Sequence, residues 1–226
     1  MDIAQNLNRI YQQIAQYQTT HTVSLLAVSK TKPFCDIVAA YQAGQRLFGE
    51  NYVQEGVEKI QQAQQQHLND ITWHLIGPLQ SNKTRIVAEH FDWVQTIDRY
   101  KIAERLSQQR PAHLPPLQVL IQINISDESS KSGIQPEQLM DLAAQVVQLP
   151  NLQLRGLMAI PAPTDDIAQQ QAVFKQMATL FQQLQQSYPN LPIDTLSMGM
   201  TDDMQSAIMC GSTMVRIGTA IFGKRN

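Results

Sequence analysis

The sequence is short of the features that mark several large functional classes. It has two cysteines in 226 residues. Cys35 and Cys210 lie far apart and neither belongs to a CxxC pair. A disulfide framework is therefore not expected, and a reducing compartment is the simpler setting. The five histidines and two cysteines show no zinc-ligand spacing, so no metal is expected. Charged residues make up 16% of the chain and the formal net charge is -2, with no dense lysine–arginine run. Nothing supplies the basic face that nucleic-acid binding requires. No apolar run reaches the roughly 18 residues of a membrane span. The opening segment, MDIAQNLNRIYQQIAQY, has neither the basic start nor the continuous apolar stretch of a secretion signal. The expectation is a cytoplasmic protein without membrane attachment. The GxGxxG, Walker A and GxSxG motifs are also missing.

Hydrophobic residues reach 43%, an ordinary globular composition in a chain long enough for one well-buried core. No composition break or long linker divides it, so residues 1–226 are read as one domain. Ile3, Leu7, Ile10, Ile14 and Tyr17 recur at helical spacing and predict an N-terminal helix. Eight short apolar segments then alternate with helical patterns. They are Val23–Val28, Arg46–Phe48, Trp73–Ile76, Trp93–Thr96, Leu117–Ile123, Leu154–Met158, Ile193–Ser197 and Met214–Ile217. Between them, Phe34, Ile37, Val38 and Tyr41 form one helical face, opened by Pro33 and stopped by Gly44. The glutamine runs at Gln61–Gln66 and Gln182–Gln186 read as solvated helix faces. Eight strands, each followed by a helix, predict an α/β fold: a single closed (β/α)8 barrel with an extra N-terminal helix. An open doubly wound sheet is the alternative that strand counting leaves standing.

In such a barrel the active face is built by the loops that follow the strands. Those loops carry Ser29-Lys30-Thr31-Lys32-Pro33, Gly49-Glu50-Asn51, Asp98-Arg99, Asn124-Ile125-Ser126, Ser197-Met198-Gly199-Met200-Thr201 and Gly218-Thr219. Small and hydroxyl residues in the last two suit close approach of the backbone to an anion, the usual phosphate position in this architecture. In the fifth strand Gln122 and Asn124 share a face opposite Val119, Ile121 and Ile123, which predicts that the polar face points into the barrel. Arg216 lies inside an apolar strand and needs a partner, either a structural carboxylate or a ligand.

Lys30 follows an apolar strand directly and predicts an amine at the barrel mouth. Partial desolvation favours its neutral, nucleophilic form, as a carbonyl-binding lysine requires. A strand-end lysine reaching to water is the bland alternative. Lys32 has the same parity and competes for the role. His74 reads as a hydrogen-bonded structural residue or a general base. Asp202 and Asp203 read as charge complements to a helix start or as an acid/base pair.

The blocks LLAVSKTKP (25–33), FGENYVQE (48–55), WHLIGPLQSNK (73–83), INISDESSKSGI (123–134), LRGLMAIPAP (154–163), LSMGMTDDM (196–204) and STMVRIGTAIFG (212–223) resemble the pyridoxal phosphate homeostasis protein family. The likeness spans nearly the whole chain. It implies a barrel like the N-terminal domain of alanine racemase and pyridoxal 5′-phosphate (PLP) as cofactor. PLP would be held as an aldimine on the first lysine of SKTKP, Lys30. It further implies phosphate contacts from Ser197, Met198, Gly199, Gly218 and Thr219, with Arg216 facing the pyridine nitrogen and Asn51 close by. Thr201 stands where the family pattern suggests serine. An arginine at the ring nitrogen restrains carbanion chemistry, and the chain has no room for a second domain after the eighth strand. The resemblance therefore implies a monomeric buffer or carrier of PLP, delivering it to apo-enzymes, with no catalytic residues and no robust turnover. A weak amino-acid racemase and a Schiff-base aldolase of a sugar phosphate are the enzyme alternatives, and a cofactor-free binding module is the third. Lys32, Lys83 and Lys131 are candidates for a second PLP site or for assisting transfer.

Overall fold

The computed structural model describes residues 1–18, 20–126 and 132–224; Lys131 lies outside the described residues. Eight parallel strands close into one barrel in sequence order. They are β1 (Ser24–Val28), β2 (Leu47–Glu50), β3 (Thr72–Leu75), β4 (Trp93–Ile97), β5 (Leu117–Ile123), β6 (Leu152–Ala159), β7 (Thr195–Ser197) and β8 (Met214–Ile217). Closure comes from β1 pairing β8, from Ser24 opposite Met214 to Ala27 opposite Ile217. The doubly wound alternative is thereby excluded.

The helices are α1 (Ile3–Tyr17), α2 (Phe34–Gln42), α3 (Val53–Gln65), α4 (Thr84–His90), α5 (Tyr100–Gln109), α6 (Leu139–Val146), α7 (Ile167–Ser187), α8 (Met204–Met209) and α9 (Thr219–Phe222). Helix α1 starts where the Asp2 side chain accepts from Gln5 N–H, a cap that satisfies one orphan donor. Its Leu7, Ile10 and Ile14 are buried. Each such side chain contributes roughly 1.5–3 kcal/mol. The helix packs against α2, α8 and α9 and so seals the joint where the first and last βα units meet.

Strand parity sorts the core into two layers. Leu25, Ala27, Val119, Ile121, Val215 and Ile217 pack outward against the helices. Leu26, Ile76 and Met214 form a separate cluster inside the barrel. Two strands, β5 and β8, have the expected bounds, and the others differ by at most two residues at an end. One shift matters: Gly49 and Glu50 belong to β2 rather than to the loop after it. Glu50 consequently points outward, fully buried beneath α3.

Candidate functional site

The loops after β1, β7 and β8 converge at the barrel's C-terminal mouth. They enclose a cavity of about 140 Å³ lined by Val28, Lys30, Lys32, Met200, Thr201, Arg216, Gly218 and Thr219. Among the described residues of this lining, three side chains are cationic, two carry hydroxyls and none is a carboxylate. Such a lining favours an anion and offers it charge-assisted hydrogen bonds.

The Lys30 segment is fastened from below. Lys59 on α3 reaches under it and donates to the Ser29 carbonyl at 2.7 Å, to Glu50 Oε1 at 3.0 Å and to Glu55 Oε1 at 2.8 Å. The Ser29 hydroxyl donates to Glu50 Oε2, and Thr31 N–H donates to Glu55. Burial pushes the Glu50 carboxyl up, and Lys59 and the Ser29 hydroxyl partly offset that. Between the two lysines, Thr31 sits at φ 65. A β-branched residue is rare in that region, and its neighbours must over-determine it. The same turn separates the two amines: Lys32 Nζ donates to the Lys224 carbonyl at 3.0 Å.

Arg216 rises into the cavity from inside the barrel and is 3% exposed. Its Nη1 donates to Ser197 Oγ at 2.7 Å and its Nη2 to the Ala159 carbonyl at 2.8 Å. Its partners are thus a hydroxyl and a carbonyl, with no carboxylate in the pair. Desolvation lowers its pKa to about 10, and Asp203 acts in the opposite direction. Ser197 in turn donates to Gln95 Oε1 at 2.7 Å. Its hydroxyl is spent inside the lumen and does not line the cavity.

The other expected residues divide in the same way. Gly218 and Thr219 line the cavity. Met198 is buried in the outer core, and its N–H donates to the Met214 carbonyl at 3.1 Å. Gly199 shapes the β7 loop: its φ is 102, and a Cβ there would lie 2.6 Å from Ala207 Cβ. Its carbonyl accepts from Arg216 N–H at 2.9 Å, so it frames the site from behind. Asn51 follows β2 in a tight approach: a Cβ at Gly77 would lie 2.0 Å from the Asn51 carbonyl oxygen. Asn51 is not among the residues lining the cavity, and its buried side-chain oxygen has no hydrogen-bond partner among the described residues. His74 lies deep in the lumen, 1% exposed, with its pKa lowered by burial to about 3. It is a structural residue rather than a base at the upper mouth. Asp203 Oδ1 accepts from Met200 N–H at 2.7 Å and so closes the β7 loop.

Met200 and Thr201 of the expected anion loop form cavity walls, whereas sequence reasoning missed the Glu50–Lys59 anchor and Gln95. A usable signal existed for Gln95, a polar residue in the middle of an apolar strand, as Gln122 is. For Glu50 and Lys59 none existed: Glu50 ends a short strand and Lys59 sits on a glutamine-rich helix, and no local pattern shows that the two are buried against each other.

Residues 3–226 match the family model described as alanine racemase, N-terminal domain. A protein of Haemophilus influenzae named pyridoxal phosphate homeostasis protein is 66% identical over 231 residues, covering 100% of this chain and 97% of that protein. One of the same name from Escherichia coli is 60% identical over 230 residues, with 100% and 97% covered. PipY of Synechococcus elongatus, solved with PLP bound, superposes with a TM-score of 0.85 at 40% identity, covering 98% of this chain and 100% of PipY. An alanine racemase of Clostridium difficile superposes with a TM-score of 0.73 at 17% identity, over 99% of this chain and 56% of the racemase. That last likeness concerns the fold alone.

Proposed function

The chain belongs to the alanine racemase N-terminal-domain family, and from that membership we propose that it binds PLP at the C-terminal mouth of the barrel and serves PLP homeostasis. The observation that carries this reading is the convergence of Lys30, Lys32, Arg216, Thr201 and Thr219 on one cavity whose described lining has no carboxylate. A phosphate-bearing pyridine aldehyde needs an anion grip at one end, a donor toward the ring and an amine at the aldehyde. The residues present fit each need. Beside this lining, the Asn51 side-chain oxygen is buried with no donor among the described residues, although Asn51 itself is not part of the cavity wall.

When bound, PLP would supply an electrophilic aldehyde, and a lysine amine is the group that would hold it. Lys30 is the amine, on a segment that Lys59, Glu50 and Glu55 immobilise. Lys32, drawn toward the Lys224 carbonyl, contributes charge rather than the bond. Thr201, Gly218 and Thr219 hold the phosphate. Met198 and Gly199 shape that grip through the backbone, and Ser197 acts by holding Arg216. Arg216 would present a fixed cation to the pyridine nitrogen and disfavour its protonation. That would weaken the electron sink that PLP enzymes exploit and supports buffering and delivery of PLP over turnover.

The test is visible absorbance of the protein titrated with PLP, for wild type and Lys30→Ala, followed by borohydride reduction and peptide mapping. The expected outcome is a lysine-linked chromophore in wild type that maps to Lys30 and is lost in the variant. No chromophore in wild type would refute the reading. One that persists in Lys30→Ala would move the bond to another lysine, with Lys32 the first to map.

A further inference from the structure

The lumen of the barrel contains a chain of hydrogen bonds whose direction is forced from one end. Arginine has donors and no acceptor. Arg216 Nη1 therefore makes Ser197 Oγ an acceptor across 2.7 Å. The Ser197 hydrogen then goes to Gln95 Oε1, also at 2.7 Å. With its oxygen so used, the Gln95 amide presents Nε2 to His74 Nδ1 at 2.9 Å. Nδ1 is then an acceptor, and the neutral ring carries its proton on Nε2. The reverse amide orientation would leave the Ser197 hydrogen without an acceptor in a dry site. Gln95 and Ser197 are both fully buried, out of reach of bulk solvent. The His74 ring is held in place by stacking on Trp93, with centroids 4.8 Å apart. Its Nε2 has no partner, and the ring borders a cavity at the opposite, N-terminal mouth.

We propose that Gln95 is a positioning residue: it orients the Ser197 hydroxyl so that Ser197 pins the Arg216 guanidinium beneath the cofactor cavity, and the same amide sets the proton position on His74. The second hold on Arg216 is a backbone carbonyl, that of Ala159. Both acceptors are neutral, so the orientation of this buried cation depends on hydrogen-bond geometry rather than on a carboxylate. Without Gln95 the Ser197 hydroxyl has no fixed acceptor and rotates, and one of the two restraints on Arg216 goes with it. The importance of Arg216 for PLP rests on the function proposed above. The positioning itself does not, and it is testable without cofactor.

The experiment is ¹⁵N NMR of the protein alone, for wild type and Gln95→Met, an apolar replacement of similar shape. In wild type the His74 ring should show a protonated Nε2 and an unprotonated Nδ1, and the Arg216 Nη signals should be resolved by restricted rotation. In Gln95→Met the Arg216 Nη signals should average. Gln95→Glu offers only acceptors, so it should keep the Ser197 contact while forcing the His74 proton to Nδ1 or charging the ring. A wild-type His74 protonated on Nδ1, or Arg216 signals unchanged in a folded Gln95→Met, would overturn the proposal. A PLP titration completes the series. Gln95→Met should bind PLP about tenfold more weakly, the scale of one hydrogen bond to a charged group. Unchanged PLP affinity alongside averaged Arg216 signals would overturn the weight of Arg216 in holding PLP and uphold the positioning by Gln95. If wild type shows the stated proton position and resolved Arg216 signals but takes up no PLP, the functional reading fails and the positioning of Arg216 stands.

Discussion

His74 shows how far a single residue departs from its solution behaviour when an element buries it. An unfolded histidine titrates near 6.5, whereas desolvation lowers the folded value to about 3. Below pH 6.5 the unfolded chain takes up a proton that the folded chain refuses. The stability contributed by the neutral ring is therefore complete above pH 6.5 and is lost progressively as pH falls toward 3. At pH 5 the loss is about 2 kcal/mol. Between pH 7 and pH 5, urea denaturation should show a loss of stability about 2 kcal/mol greater in wild type than in His74→Gln. The buried Glu50 and Asp92 are shifted upward by desolvation and act in the opposite sense, so the comparison between variant and wild type isolates His74. Equal pH dependence in the two proteins would contradict the assignment.

At the scale of elements, β1, β2 and α3 are joined by one buried ion pair. Lys59 and Glu50 lie 3.0 Å apart with side chains 7% and 0% exposed. Such a pair contributes little net stability, because desolvation offsets attraction, but removing one partner strands the other charge. Lys59→Met should cost about 3–5 kcal/mol by urea denaturation. Glu50→Leu combined with Lys59→Met should recover most of it. The double variant would still lack the donors and acceptors that hold Ser29 and Thr31. Its PLP affinity should therefore remain reduced after stability is restored. Recovery of both together would mean that the ion pair serves folding only and does not position Lys30.

For the whole molecule, the barrel brings loops from its first, seventh and eighth units to one cavity, so occupancy should stabilise every element at once. A ligand present at a hundred times its dissociation constant adds about 2.7 kcal/mol. In a chain of this length that corresponds to a rise in melting temperature of about 5–10 °C. PLP should produce such a rise in wild type. Lys30→Ala should keep part of it, since the phosphate grip is independent of the covalent bond. A full rise in the variant would place the binding energy elsewhere. Among the described residues no helix is long and apolar enough to cross a membrane, and no cluster of histidine, cysteine and acidic residues could hold a metal ion.

Periodicity alone determined the order of strands and helices, because an amphipathic helix and a half-buried strand each write their spacing into the chain. It also placed Lys30, Gly218 and Thr219 at the ends of strands and hence on the functional rim. The ordered motif blocks then singled out Lys30 over Lys32. Only the tertiary structure decided that the sheet closes, since closure is a pairing between β1 and β8 that no local pattern encodes. It also decided the fates of polar residues. Ser197 and Thr201 are both hydroxyls in one loop, yet one ends inside the lumen holding Arg216 and the other lines the cavity. Glu50 looked like a loop carboxylate and is a buried anchor. In each case the outcome depends on which distant partner satisfies the group, and burial makes that satisfaction obligatory.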